Sequence, residues 1–223
     1  MRWLVALCLL AAAPAAAQTP GAASFRVYQR GALVGGVEMS LQASDTGWRL
    51  QGTSRIDGSV PVDIPNLDLH YDEEWRPVFM TVEMTQPDQA IVHVAVIGSR
   101  TRTDVVRSTE ARFRSHSISP DAVFLPDRAY GAYEWIAVRL DAGVPGQDLA
   151  IFIAPIGETR ARIDEVAPSP VSTTNGPVMA TRYSLTEIRQ RPTPVEIWVE
   201  NGRLLRLELP REGISMVRED VVR

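Results

Sequence analysis

From Ser24 onward, apolar and polar residues alternate with a period of two, the pattern of strands that turn one face to a core. Phe25 and Val27 open the first strand, and Gly31 with Gly35-Gly36 brackets a turn. Val37, Met39 and Leu41 then alternate with Glu38, Ser40 and Gln42. Asp45-Thr46-Gly47 predicts a hairpin before Trp48 and Leu50 resume the alternation. Pro61 and Pro65 make 58–66 a loop or an irregular edge, because proline cannot donate to a strand ladder. A second meander follows, with Val78, Met80, Val82 and Met84 on one face and a turn at Pro87-Asp88. The stretch 91–97 is apolar at nearly every position and predicts a strand covered on both sides. The next two strands, near 100–107 and 111–118, are rich in arginine.

One segment changes period. Ala129, Tyr133, Ile136 and Leu140 recur at helical spacing, with Asp127 placed to cap the start and Gly143 to end it. Strands then return at 149–153, 159–166, 179–188, 195–199, 204–209 and 214–217. Asn201-Gly202 is the strongest hairpin signal, because both residues tolerate positive φ. No linker or fixed repeat divides the chain. The expectation is a mainly β fold: a curved antiparallel sheet or half-barrel with one α-helix packed on its concave side.

The first residues do not fit that alternation. Arg2, an apolar run from Trp3 to Ala13 and the small residues Ala15-Ala16-Ala17 have the order of a secretory signal, predicting cleavage near Ala17-Gln18. The run is shorter than the roughly 20 residues that span a bilayer, and Pro14 opposes a buried helix. The expected division is therefore 1–17 as signal peptide and 18–223 as one β-rich domain. That domain would be periplasmic or secreted and would have no transmembrane segment. Cys8, the single cysteine, falls in the leader, so no disulfide or thiolate chemistry is expected beyond it. The formal charge of −4 disfavours a nucleic-acid partner.

Candidate chemistry is sparse. On a strand, Asp68, His70 and Asp72 share one face while Leu67, Leu69 and Tyr71 take the other. An imidazole between carboxylates can ligate a divalent ion, although the same pattern describes a solvated strand face. The histidines are His70, His93 and His116, and no G-x-S-x-G elbow, Walker loop or G-x-G-x-x-G accompanies them. No catalytic residue and no cofactor is expected. Arg100, Arg102, Arg112 and Arg114, with Arg107 nearby, could align into a stripe for an anionic group or lie on an exposed sheet face. Met39, Met80, Met84, Tyr133 and Trp135 are candidates for the lining of an apolar cleft, or ordinary core.

Three segments together carry a resemblance. They are the opening strand with its glycine-rich turn (25–36), the run Tyr71-Asp72-Glu73-Glu74-Trp75-Arg76-Pro77 before the helix, and the closing hairpin 195–206. This order resembles uncharacterised exported bacterial β domains, some found alone and some at the N-terminus of secreted α/β-hydrolases. The resemblance implies fold more than activity. In looser outline the chain is similar to periplasmic lipoprotein carriers, which hold acyl chains. The leading expectation is a non-catalytic envelope domain that binds an apolar or amphipathic small molecule. The alternative is an accessory domain that assists a hydrolase partner.

Overall fold

The computed structural model describes residues 20–222 except 60, 87–88, 108–109, 141–142 and 189–191. The predicted signal peptide and the Pro87-Asp88 turn lie outside the described residues. Eight strands come first: β1 (Gly21–Gln29), β2 (Ala32–Ser44), β3 (Gly47–Ile56), β4 (Val62–Tyr71), β5 (Pro77–Met84), β6 (Ala90–Ile97), β7 (Arg100–Arg107) and β8 (Glu110–Ser117). A crossover carries the two-residue β9 (Val123–Phe124), a 3-10 turn (Tyr130–Ala132) and helix α1 (Tyr133–Leu140). Six strands complete the chain: β10 (Asp148–Ile153), β11 (Gly157–Thr173), β12 (Gly176–Ile188), β13 (Thr193–Glu200), β14 (Arg203–Leu209) and β15 (Ile214–Arg218).

All of these strands join one sheet in the order β8-β7-β6-β5-β4-β3-β2-β1-β15-β14-β13-β12-β11-β10-β9. Each pairing is antiparallel except the short parallel contact of β9 with β10. The sheet is large and open; it does not close into a barrel. It nonetheless curls far enough for elements remote in strand order to touch, β5 against β9 and β8 against β11. At one end the two margins are latched. The Ser119 N–H and hydroxyl donate to Glu158 at 2.5 and 2.8 Å, and the His116 ring meets Phe152 edge-on at 6.0 Å.

The crossover fills the concave side. Phe124, Trp135, Ile136 and Leu140 are essentially inaccessible, and α1 is buried all round apart from Arg139. A helix enclosed on every side shows only a weak amphipathic stripe, which is why its sequence signal is modest. Trp135 stacks on Tyr71 with ring centroids 3.9 Å apart, and the Phe124 N–H donates to the Tyr71 hydroxyl at 2.8 Å. Burial pushes the Tyr71 phenol well above its usual range. Glu134 is wholly buried and accepts hydrogen bonds from the Arg203 guanidinium and, at 3.1 Å, from the Leu204 N–H. These two contacts fasten α1 to β14.

Several boundaries differ from the sequence expectation, each for a local reason. The β1–β2 turn is Arg30-Gly31, both with positive φ, while Gly35-Gly36 lies inside β2. A Cβ at Gly35 would stand 2.0 Å from the Arg55 carbonyl, so close strand approach requires the glycine. Pro65 is not in a loop but within β4, where a register shift between Gly52 and Ser54 spares a missing N–H. Strand β11 runs on through Pro168 and Pro170. Its pairing with β10 ends at Arg162, so the prolines sit on a free edge. In β6 only Ala90, Val92 and Val94 are fully buried and Ile97 is exposed, so one face is covered rather than two. The 3-10 turn is preceded by Ala129 and has no side-chain cap, so Asp127 does not perform that role.

Candidate functional site: an apolar pocket with an arginine rim

Strand register decides which side chains meet on the concave side. Directly paired residues share a face, and neighbours along a strand alternate. In the β5–β6 hairpin, Met84 pairs with Ala90 and Val82 with Val92, and all four point inward. Further along the same strands, Met80 and Val94 are sealed where β9 crosses β5. The crossover then reverses at Pro126-Asp127-Arg128 and leads back toward α1, which packs on β13 and β14. The ends of β5 and β6 therefore lack the covering layer that their middles have.

The result is a partly open pocket of about 250 Å³ whose wall is Val62, Val82, Met84, Ala90, Val92 and the crossover, with Ala154 and Pro155 opposite. Its polar lining is Gln86, Arg107, Asp127 and Arg128. The volume falls just under the range of about 300–1,000 Å³ typical of small-molecule sites, so it suits the end of a ligand rather than a whole one. Arg107 continues the inward face of β7, opposite Ala90 on one side and Glu110 on the other. Glu110 is held by Arg112 at 2.6 Å, and among the described residues no carboxylate lies within ion-pair distance of Arg107. Arg128 lies 3.9 Å from Asp127, its one ion pair among the described residues. Its backbone is left-handed, with φ of 59°, which is uncommon for a residue with a long side chain.

Of the residues singled out from sequence, Met84 lines this pocket. Met39 is wedged between β3 and the 3-10 turn: a Cβ at Gly131 would fall 2.4 Å from its sulfur. Met80 and Trp135 are sealed in the core, and the Tyr133 hydroxyl donates to Glu187 at 3.0 Å. The predicted arginine stripe is split by register. Arg102 pairs with Ser115 and Thr103 with Arg114, placing Arg100 and Arg102 on the convex face and Arg112 and Arg114 on the concave one. Arg128 gave no sequence signal; the Pro-Asp pair before it marks a turn without saying what the turn faces.

Asp68 and His70 lie on the face of β4 opposite Leu67, Leu69 and Tyr71, whereas Asp72 falls past the end of that strand. Arg49 Nε and Nη2 donate to the two Asp68 oxygens at 2.7 Å each, and His70 Nε2 is 3.0 Å from Oδ1. Burial acts to raise the Asp68 carboxyl, but the hydrogen bonds from Arg49 and His70 outweigh it and hold it low. Asp72 turns instead to Arg76, accepting from its N–H at 2.9 Å and from Nε at 2.6 Å. Among the described residues no three histidine, aspartate or glutamate side chains gather as metal ligands would. Thr81 Oγ1 and His93 Nδ1, 3.1 Å apart, form a hydroxyl–imidazole pair. It lies on the face of β5 and β6 opposite Met80 and Val94, away from the pocket.

No protein-family model, no curated protein and no solved structure matches this chain.

Proposed function

We propose that this is an exported, non-catalytic domain that takes the apolar end of a small amphipathic or apolar molecule into the pocket beneath β5 and β6. The observation that carries the reading is a concave wall of Val62, Val82, Met84 and Val92 left uncovered beside a crossover that seals Met80 and Val94 further along the same strands. Apolar walls with a few polar groups at the mouth are the usual make-up of ligand sites. Export to the cell envelope rests on the leader-like residues 1–17.

Calorimetric titration with decanol tests the reading. Saturable binding that Met84→Asp abolishes, with the circular dichroism spectrum kept, supports it. Failure of any ten-carbon alkyl ligand to bind, or binding indifferent to Met84→Asp, overturns it.

The rival reading, an accessory domain for a secreted hydrolase, draws on strand β8. That strand is a sheet margin exposed along most of its length, and its Phe113 is 81% exposed. It predicts that adding charge at Phe113 weakens capture of a hydrolase and leaves decanol binding untouched.

A further inference from the structure

We infer that the ligand's other end is an anion, a carboxylate or phosphate, held at the pocket mouth by Arg107 and Arg128. This rests on the pocket reading above and adds the head-group chemistry to it. Three observations lead here.

The first is the charge at the mouth: among the described residues, two guanidinium groups stand against the one carboxylate of Asp127. The second is that Arg107 has no ion-pair partner among the described residues. Its ladder partner Glu110 is taken by Arg112, and what sets Arg107 apart from Arg55 or Arg114, which also lack an ion pair among the described residues, is its place in the lining of the pocket. The third is the backbone of Arg128. A left-handed arginine is an unfavourable choice where glycine would fit without strain, and such outliers gather at ligand clamps.

The chain as a whole carries a formal charge of −4, so its overall field does not favour anions. Selectivity for one must come from these local groups. Guanidinium donors match the oxygens of carboxylate and phosphate in paired geometry, which an ammonium does not. The apolar wall and the cationic mouth together describe a site for a fatty acid or for the acyl end of a phospholipid.

Titrating the protein with decanol, decanoate and decyl phosphate separates the possibilities. One charge-assisted hydrogen bond corresponds to about tenfold or more in affinity. At least one of the two anions should therefore bind about tenfold more tightly than decanol. Decanoate as the tighter ligand assigns a fatty acid, and decyl phosphate a phospholipid head group. Arg107→Met should bring the anions down to the affinity of decanol for the same variant, with an unchanged circular dichroism spectrum showing that it is folded. Arg128→Gly should act in the same direction. Equal affinity of all three ligands overturns the head-group assignment and leaves the pocket standing. If none binds, the pocket reading fails and the assignment falls with it.

Discussion

Replacing Arg203 with methionine strips Glu134 of its counter-ion at the point where α1 meets β14. Glu134 is inaccessible to solvent, and the Arg203 side chain is only 14% exposed, so little water screens the pair. Burial already raises the Glu134 carboxyl above its ordinary range, with Arg203 and the Leu204 N–H working against that shift. Losing one partner of a buried pair costs about 3–5 kcal/mol, while replacing both with apolar groups is often neutral or stabilising.

The sign of the pH dependence follows. With Arg203 gone, the folded-state pKa of Glu134 rises further above its unfolded value of about 4.3. The folded protein then keeps a proton that the unfolded chain releases. That contribution is fully present below the unfolded pKa and is lost as pH rises toward the folded one. Urea unfolding of Arg203→Met should therefore show a deficit of about 3–5 kcal/mol at pH 8 and a clearly smaller one at pH 5. The double variant Glu134→Leu with Arg203→Met should recover most of it. A deficit under about 1 kcal/mol at both pH values, or a double variant no better than the single, would refute the assignment of this pair as the anchor of α1.

Three further outcomes follow from the same geometry. Tyr71→Phe leaves the buried Phe124 N–H without its acceptor and should cost about 1–3 kcal/mol in urea unfolding. Asp68→Asn removes a carboxylate whose pKa is held low in the folded state, a contribution present above the unfolded value of about 3.9 and lost as pH falls through the folded one. The variant should lose stability at neutral pH and show a shallower decline below about pH 4, read by acid titration of fluorescence. Arg128→Gly relieves a left-handed arginine and should raise thermal stability by up to about 1 kcal/mol, the opposite direction to its predicted effect on anion binding.

Much of the sheet was legible because alternation is a local signal. Val37, Met39 and Leu41, or Met80, Val82 and Met84, declare their faces within a few residues, whereas Val78 is 45% exposed because the β4–β5 register shifts beside it. The Asn201-Gly202 turn was equally plain, with φ of 51° and 70° as its two residues require. The errors fell where a partner elsewhere in the chain decides the outcome. Pro65 is tolerated inside β4 only because β3 shifts register opposite it. Pro168 and Pro170 are tolerated because β10 stops short of them.

The site was harder to foresee than the fold. Met39, Met80 and Met84 look alike in sequence, and what separates them is where the crossover lies across the strands. Arg100 and Arg102 were separated from Arg112 and Arg114 by pairing alone. Arg107 stood within a visible arginine cluster, but no sequence signal says that Glu110 pairs with Arg112 instead. Nothing in the residues around Arg128 announces a left-handed backbone.

Ligand binding beneath β5 and β6 is tested most plainly by a crystal structure of the protein grown with 10-bromodecanoate, phased on the anomalous signal of bromine. The expected result is a bromine peak between Met84 and Val92, with the carboxylate reaching outward to Arg107 and Arg128. A bromine peak on the convex face, or a pocket left without ligand density at saturating concentration, would contradict it.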